Sequence, residues 1–388
     1  MASQLGAALT LDQLATDPHE LLARLRSGEP VCWVPALDGW LVTRRDLCVQ
    51  VMRDPSTFTV DDPRFSTAQV VGPSMLSLDG TEHRRHRDPF ATALGHGQVR
   101  ERFTERVNEE ARRLVRDLSS RGRAEIRRDL AGPLAVAVVT AALDLPGVEV
   151  GTLLGWYETI VADVDLLSRG APATGAGQEA VKEMGAHIRR STASRPGLLA
   201  HARVGLSDSE VVSNAAVMMF GGIETSEGMT TSLFWHLLTN PAQLQMVAAD
   251  KSLARQAIEE SLRLEPAASR VDRYATRDIE FAGASIRAGD LVIVSLSAAN
   301  RDPATFVDPD RFDLRRSNAH THLAFAQGPH ACIGIHLAKL ETLAALIAVL
   351  DLWPGVRLDG EVDGPSGLVF RKPRALPVLW GKTDLSNP

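Results

Sequence analysis

Cysteine is scarce in this chain: three in 388 residues, at positions 32, 48 and 332. So sparse and odd a set supports no disulfide framework and fits a reducing compartment, so a cytoplasmic location is expected. Cys32 and Cys48 lie in apolar surroundings and read as plain core residues. An excess of positive charge is also missing. The formal net charge is −6, which argues against nucleic-acid binding. No apolar run is long enough to span a bilayer, and residues 1–10 have neither the basic flank nor the long apolar run of a signal peptide or anchor. No internal repeat is apparent. The glycine- and alanine-rich residues 169–177 are the nearest thing to a linker and read as a mobile loop. What remains, at 44% hydrophobic and 23% charged residues, is a typical globular composition.

Periodicity predicts a mainly α chain with a minor β region. Residues 31–34 and 39–43 are strand-like, and residues 44–52 have helical spacing. Helical patterns dominate from about residue 81 to 350. They are interrupted after Arg273 by strand-like pieces at 278–281, 284–286 and 291–296. The tail after Trp353 shows short strands and turns. Strands and helices do not alternate as βαβ units.

Cys332 carries the strongest functional signal. It shares one segment with Phe325, Gly328, His330 and Gly334, and an apolar-periodic helix follows at once. A thiolate at a helix N-terminus is favoured by the helix dipole and is a strong ligand for a soft or borderline metal. The plain alternative is a buried small hydrophobe, which describes most free cysteines. The surroundings favour the ligand. Gly328 and Gly334 let the backbone pass close to a flat partner, Phe325 offers an aromatic wall, and His330 offers a donor.

A second signal lies in a long apolar helix. Ser207 and Glu210 form a capping-box pattern, and the next breaker is Asn240-Pro241. About 30 residues separate them, or roughly 45 Å of helix. Its middle reads Gly221-Gly222-Ile223-Glu224-Thr225. Adjacent glycines cost about 1 kcal/mol each inside a helix, and a buried acid needs a partner. Either two helices cross tightly here, or the backbone must approach a flat cofactor, with Glu224 and Thr225 serving proton delivery. Glu227 reads as a second relay acid or as a partnered buried carboxylate. The latter is favoured because structural ion networks are common.

The cysteine segment resembles the ligand loop of the cytochrome P-450 family, the haem-thiolate monooxygenases, and Gly-Gly-x-Glu-Thr resembles that family's oxygen-activation motif. Glu260 and Arg263 match its Glu-x-x-Arg helix; on their own they would pass for a surface ion pair. The resemblance spans essentially the whole chain, from residues 81–87 to Glu341, and is to the soluble bacterial members. It implies a single triangular domain, residues 1–388, with a long central helix. Cys332 would bind the iron of haem b, and Glu260, Arg263 and Arg311 would form a buried network behind it. His83, Arg87, Arg273 and His330 match the usual partners of the haem propionates. Arg84, Arg85 and His86 crowd the first two, and that basic run could equally face a redox partner.

The implied activity is insertion of one oxygen atom from dioxygen into a small, apolar or aromatic substrate. Electrons would come from a separate ferredoxin and its reductase, with NAD(P)H involved only indirectly. Two spare cysteines are too few for an iron–sulfur cluster. A monomer is expected. By position, the substrate pocket would draw on Val70, Met75, Val217, Phe220, Ala268, Arg270, Val271 and Val369. Arg270 would meet either a substrate carboxylate or a propionate. Competing readings are a same-fold enzyme of atypical chemistry (oxidative coupling, nitration or peroxide-driven oxidation), a non-enzymatic haem or gas-sensing protein, and a structural Cys332 with no haem.

Overall fold

The computed structural model of the chain describes residues 4–145, 148–192 and 198–381. It is mainly helical with three small sheets. The chain divides into two compact units. One comprises Met1–Phe58, Thr104–Leu134 and Thr225–Pro388; the other comprises Thr59–Phe103 and Ala135–Glu224. The terminal residues of the expected single domain, 1–3 and 382–388, lie outside the described residues.

The first unit holds a five-stranded sheet, in which Val31–Val34, Gly39–Val42, Leu291–Ser295 and Arg270–Ala275 are neighbours in that order. Side chains alternate between its faces, as strand geometry requires. Val292 and Val294 pack with Val42, Cys48, Val51 and Met52, whereas Ile293 packs with Cys32, Leu41, Leu22 and Leu25. Cys32 and Cys48 are thus core residues, as their neighbours in sequence suggested, and burial pushes the Cys48 thiol up. The strand-like pieces expected after Arg273 are found at Ile279–Phe281, Ala284–Ile286 and Leu291–Ser295, whereas the strand Arg270–Ala275 was not expected and forms by pairing with Leu291–Ser295. The short strand Arg123–Glu125 has no clear sequence signal. It pairs with the tail strand Pro377–Leu379, a contact only the fold provides.

A buried hub also braces this unit. Glu265, 3% exposed, meets His19, Arg301 and Arg371, and these partners hold its carboxyl low against the opposing effect of burial.

The long helix runs Asp208–Thr239, close to the span expected from its capping box and the following proline. Ser207 N–H donates to Glu210 Oε2 at 2.8 Å, the return half of that box. The boundary between the two units falls within this helix, between Glu224 and Thr225. In the second unit the loop after the helix Val150–Ser168 is tied down. Asp163, 1% exposed, accepts bonds from Thr174, Gly175 and Gly177. No helix among the described residues is long and apolar enough to cross a membrane.

Candidate active site

The cysteine loop is fixed by its backbone. Ala326 and Gly328 adopt φ of 56° and 75°. At Gly328 a Cβ would stand 2.3 Å from the Met52 carbonyl oxygen, so only glycine fits. Cys332 N–H donates to the Phe325 carbonyl at 2.8 Å, and Ala331 N–H donates to Gly328 at 3.1 Å. The helix Ile335–Leu352 starts at once, with Gly334 as its N-cap. Cys332 is therefore held at the positive end of an 18-residue helix and is exposed, unlike the other two cysteines. A Cβ added at Gly334 would meet only the Cys332 Sγ, at 3.9 Å. Among the described residues no cluster of three metal-ligating side chains includes Cys332. A metal bound to this thiolate would bring its remaining ligands with it, as a porphyrin does.

Behind the loop lies a buried network that differs in one member from the expected one. Glu260 and Arg263, both fully buried, form a bidentate pair at 2.8 Å. The second cation on Glu260 is Arg316, whose Nε donates to Oε1 at 2.9 Å. Arg311 contributes only its carbonyl, which accepts from Arg263 and Arg316. Arg316 replaces Arg311 because the Glu260 carboxylate also takes the Asp313 N–H, which draws the chain just beyond Arg311 onto it. Sequence order alone offered several arginines here. From Arg263 the network continues through the Asn300 carbonyl, and Asn300 Oδ1 accepts from Leu323 N–H at 2.6 Å, two residues before Phe325.

Phe325 is braced from two sides. The Lys339 ammonium stands 5.3 Å from its ring centre and the His322 ring 5.8 Å. Both contact Glu259. Burial pushes the Glu259 carboxyl up, but these two partners outweigh it and hold the group at about 2. His322 Nδ1 accepts from Ala324 N–H, which leaves Nε2–H to donate to Glu259. The sequence reading missed this brace, whose members are up to 80 residues apart.

The middle of the long helix separates residues that the sequence treated alike. Residues 211–220 are almost wholly buried, yet Gly221 is exposed and Gly222, Glu224 and Thr225 are partly so. Gly221, Gly222 and Thr225 share one helix face. A Cβ at Gly221 would meet nothing within 4 Å, whereas one at Gly222 would stand 2.6 Å from Val139. Gly222 therefore permits a tight helix crossing, and Gly221 keeps a surface open. Glu224 accepts a hydrogen bond from the buried Tyr157 hydroxyl, a partner no motif indicated. Ser226, next to Thr225, hydrogen-bonds Glu341, a carboxyl that burial raises to about 8. Glu227 is a partnered carboxylate, the favoured alternative, paired with Arg127 and with Lys372 at 3.0 Å. Gly228 lets Ala267 approach: a Cβ there would stand 3.3 Å from the Ala267 Cβ.

The cationic candidates occupy separate elements. His83 and Arg87 lie four residues apart on the helix Gly80–Ala91 in the second unit, and His83 is 4% exposed. Arg273 is buried in its strand in the first unit, and His330 lies in the cysteine loop. The pocket candidates also divide. Ala268, Arg270, Val271 and Val369 come together where Ala268 bridges Phe370 and Ser269 N–H donates to Val369. Val70, Met75, Val217 and Phe220 are buried in the second unit.

Comparison with known proteins decides the family. A model of the family Cytochrome P450 matches residues 197–353, which include the long helix, Glu260, Arg263 and the cysteine loop. The 20-oxo-5-O-mycaminosyltylactone 23-monooxygenase of Streptomyces fradiae is 33% identical, over 94% of this chain and 90% of its own. The chain belongs to the cytochrome P450 family. Another P450 relative, the monooxygenase PikC of Streptomyces venezuelae, is also 33% identical, over 94% of this chain and 92% of its own. The structure of CalO2 superposes with a TM-score of 0.87 at 29% identity, covering 98% of this chain and 99% of that one. This P450 is accordingly a haem-thiolate monooxygenase with a mainly α fold. Its residues fit the haem the family implies: an exposed cysteine on a loop fixed by its backbone, beside a glycine whose missing Cβ leaves the sulfur uncrowded.

Proposed function

We propose that Cys332 is the thiolate ligand of haem b in this enzyme, and that Glu224 and Thr225 deliver protons during oxygen insertion. The observation that carries this reading is the exposed Cys332 on a loop locked by Gly328 and by its own N–H bond to Phe325. Bound haem supplies the electron and dioxygen chemistry; the protein supplies position, charge and protons.

In this reading Arg273 and His330 neutralise the propionates. Phe325, Gly328 and Gly334 leave room for the flat ring, and the Glu260–Arg263–Arg316 network keeps the loop from shifting. Thr225 offers a hydroxyl at the reacting oxygen. Glu224 exchanges protons with solvent while Tyr157 fixes its carboxylate.

The substrate is a small organic molecule with an apolar or aromatic body. The relatives named for 20-oxo-5-O-mycaminosyltylactone and for mycinamicin IV support a tailoring step in secondary metabolism. A separate ferredoxin and reductase, drawing on NAD(P)H, supply the electrons. The chain acts as one monomeric catalytic domain in the cytoplasm.

The test is the carbon monoxide difference spectrum of the reduced protein. Thiolate ligation gives the red-shifted Soret band for which the family is named. Cys332→Ser should abolish that band while leaving the helical circular dichroism intact. A wild-type protein that binds haem without the band would overturn the ligand assignment.

A further inference from the structure

Lys339 and Glu259 set two opposite charges beside the loop that carries Cys332. Lys339 lies on the helix Ile335–Leu352, whose N-cap is Gly334. About 7.5 Å of helical rise separates it from that cap, and helical side chains lean towards the N-terminus. The ammonium therefore reaches back towards the cysteine end of the helix, where it stands 5.3 Å from the centre of the Phe325 ring. Phe325 in turn accepts the Cys332 N–H on its carbonyl at 2.8 Å. The Glu259 carboxylate meets Lys339 Nζ at 2.6 Å and His322 Nε2 at 3.2 Å.

Of these three groups two are charged. His322 Nδ1 accepts from Ala324 N–H and burial lowers the pKa of the ring, so the imidazole is neutral. One cation and one anion remain, and it is the cation that faces the Phe325 ring. Packing alone does not call for them. A ring needs only an apolar wall, and an ion pair of this kind adds little to stability. With the side chains 29% and 18% exposed, desolvation also takes back part of what the pairing gives. The helix start gives no reason for a cation either. It is already the positive end of the dipole, and no acid occupies its first turn. Lys339 adds to that positive field, and Glu259 subtracts from it.

We propose that Lys339 and Glu259 are positioning residues whose opposite charges set the reduction potential of the iron bound at Cys332, Lys339 raising it and Glu259 lowering it. This rests on the haem-thiolate reading above. The step concerned is uptake of one electron from the external donor, which lowers the charge at the metal by one and breaks no bond. A cation held nearby favours the less positive state, and an anion disfavours it. Salt screens both charges only weakly, because they are largely withdrawn from water. Neither side chain needs to touch a reacting atom, since groups around a metal ligand tune the metal through that ligand's surroundings.

The test is the reduction potential of the substrate-free holoenzyme, measured by spectroelectrochemical titration. Lys339→Met should lower it and Glu259→Gln should raise it. Each should change the ratio of reduced to oxidised protein at a fixed applied potential about tenfold, which is about 59 mV for one electron. The double variant carries neither charge and should return towards the wild-type value, and Lys339→Arg should keep it. Haem content and the carbon monoxide band should persist throughout. A brace that only supports the loop gives a different pattern: the single variants shift together or not at all, and the double variant departs furthest. Either result overturns the proposal. Where Glu259→Gln fails to hold haem, the two lysine variants decide alone. A drop in Lys339→Met without one in Lys339→Arg supports the proposal, and equal potentials overturn it. A wild type without the carbon monoxide band, before any variant is made, overturns instead the haem-thiolate reading on which the proposal stands.

Discussion

The Tyr157 hydroxyl donates a hydrogen bond to the Glu224 carboxylate, joining the helix Val150–Ser168 to the middle of the long helix. A phenol fixes the direction of the carboxylate without adding a positive charge to it. In the proposed reading Glu224 is the group that exchanges protons with solvent.

Tyr157→Phe should therefore lower the yield of product per dioxygen consumed, with haem content and the carbon monoxide band unchanged. Glu224→Gln should cost more, up to about 10²-fold in turnover, because it removes the exchanging group itself. Thr225→Ala should also uncouple oxygen consumption from product. Oxygen uptake measured alongside product formation checks all three. Unchanged coupling in Tyr157→Phe would leave the tyrosine a packing residue.

Arg316 and Arg311 should behave differently. Arg316→Leu removes a cation from the fully buried Glu260 and should destabilise the fold by about 3–5 kcal/mol, with loss of haem retention. Arg311→Ala leaves the carbonyl that Arg263 and Arg316 use, and should stay close to wild type. Urea unfolding and haem content measured on both variants distinguish this arrangement from one in which Arg311 is the ion-pair partner.

Glu341 makes stability depend on pH. Burial raises its carboxyl from 4.5 to about 8 in the fold, against a smaller opposing effect of the Ser226 hydrogen bond. The unfolded chain ionises this group at a lower pH than the folded one, so folding takes up a proton between the two values. The stabilising contribution is complete below about pH 4.5 and is lost as pH rises towards about 8. Glu341→Gln cannot ionise. It should match the wild type near pH 4.5 and exceed it by a few kcal/mol at pH 8, because each tenfold change in acidity corresponds to about 1.4 kcal/mol. Denaturation midpoints across this range provide the measurement, and parallel curves would show that the group is already ionised in the fold.

The paired glycines should part under mutation. Gly222→Ala drives a Cβ to 2.6 Å from Val139, and overpacking of this kind costs about 1–3 kcal/mol. Gly221→Ala meets nothing and should gain up to about 1 kcal/mol from helix propensity. It should nonetheless weaken the spectral shifts caused by small molecules, because the new methyl group stands on the open face. Thermal unfolding and ligand titration separate the two effects.

Much of the site was legible because its signals are local. The cysteine loop is a run of ten residues whose glycines and cysteine can be read without a fold, and the long helix is bounded by a capping box and a proline. Gly328 was legible as a glycine, but its reason, the Met52 carbonyl at 2.3 Å from its would-be Cβ, was not. The network behind the loop was legible in two members of three. Glu260 and Arg263 are one helical turn apart, whereas Arg316 lies 56 residues beyond Glu260 among other arginines. Tyr157 and Glu341 gave no signal, since each acquires its meaning only from a partner on another helix.

The sequence by itself determined the family, the helical class and the identity of Cys332 as the candidate ligand. The family is carried by a resemblance in short motifs that the comparison with known proteins bears out, and the helical class and the cysteine by short-range patterns that survive without knowledge of packing. The tertiary structure alone decided which arginine completes the Glu260 network, which of two adjacent glycines is for packing, that Glu227 is spoken for by Arg127 and Lys372, and that Arg270 is buried with donors to spare. Each is a matter of which distant group fills the space or satisfies the charge around a residue, and that is fixed only when the chain has folded.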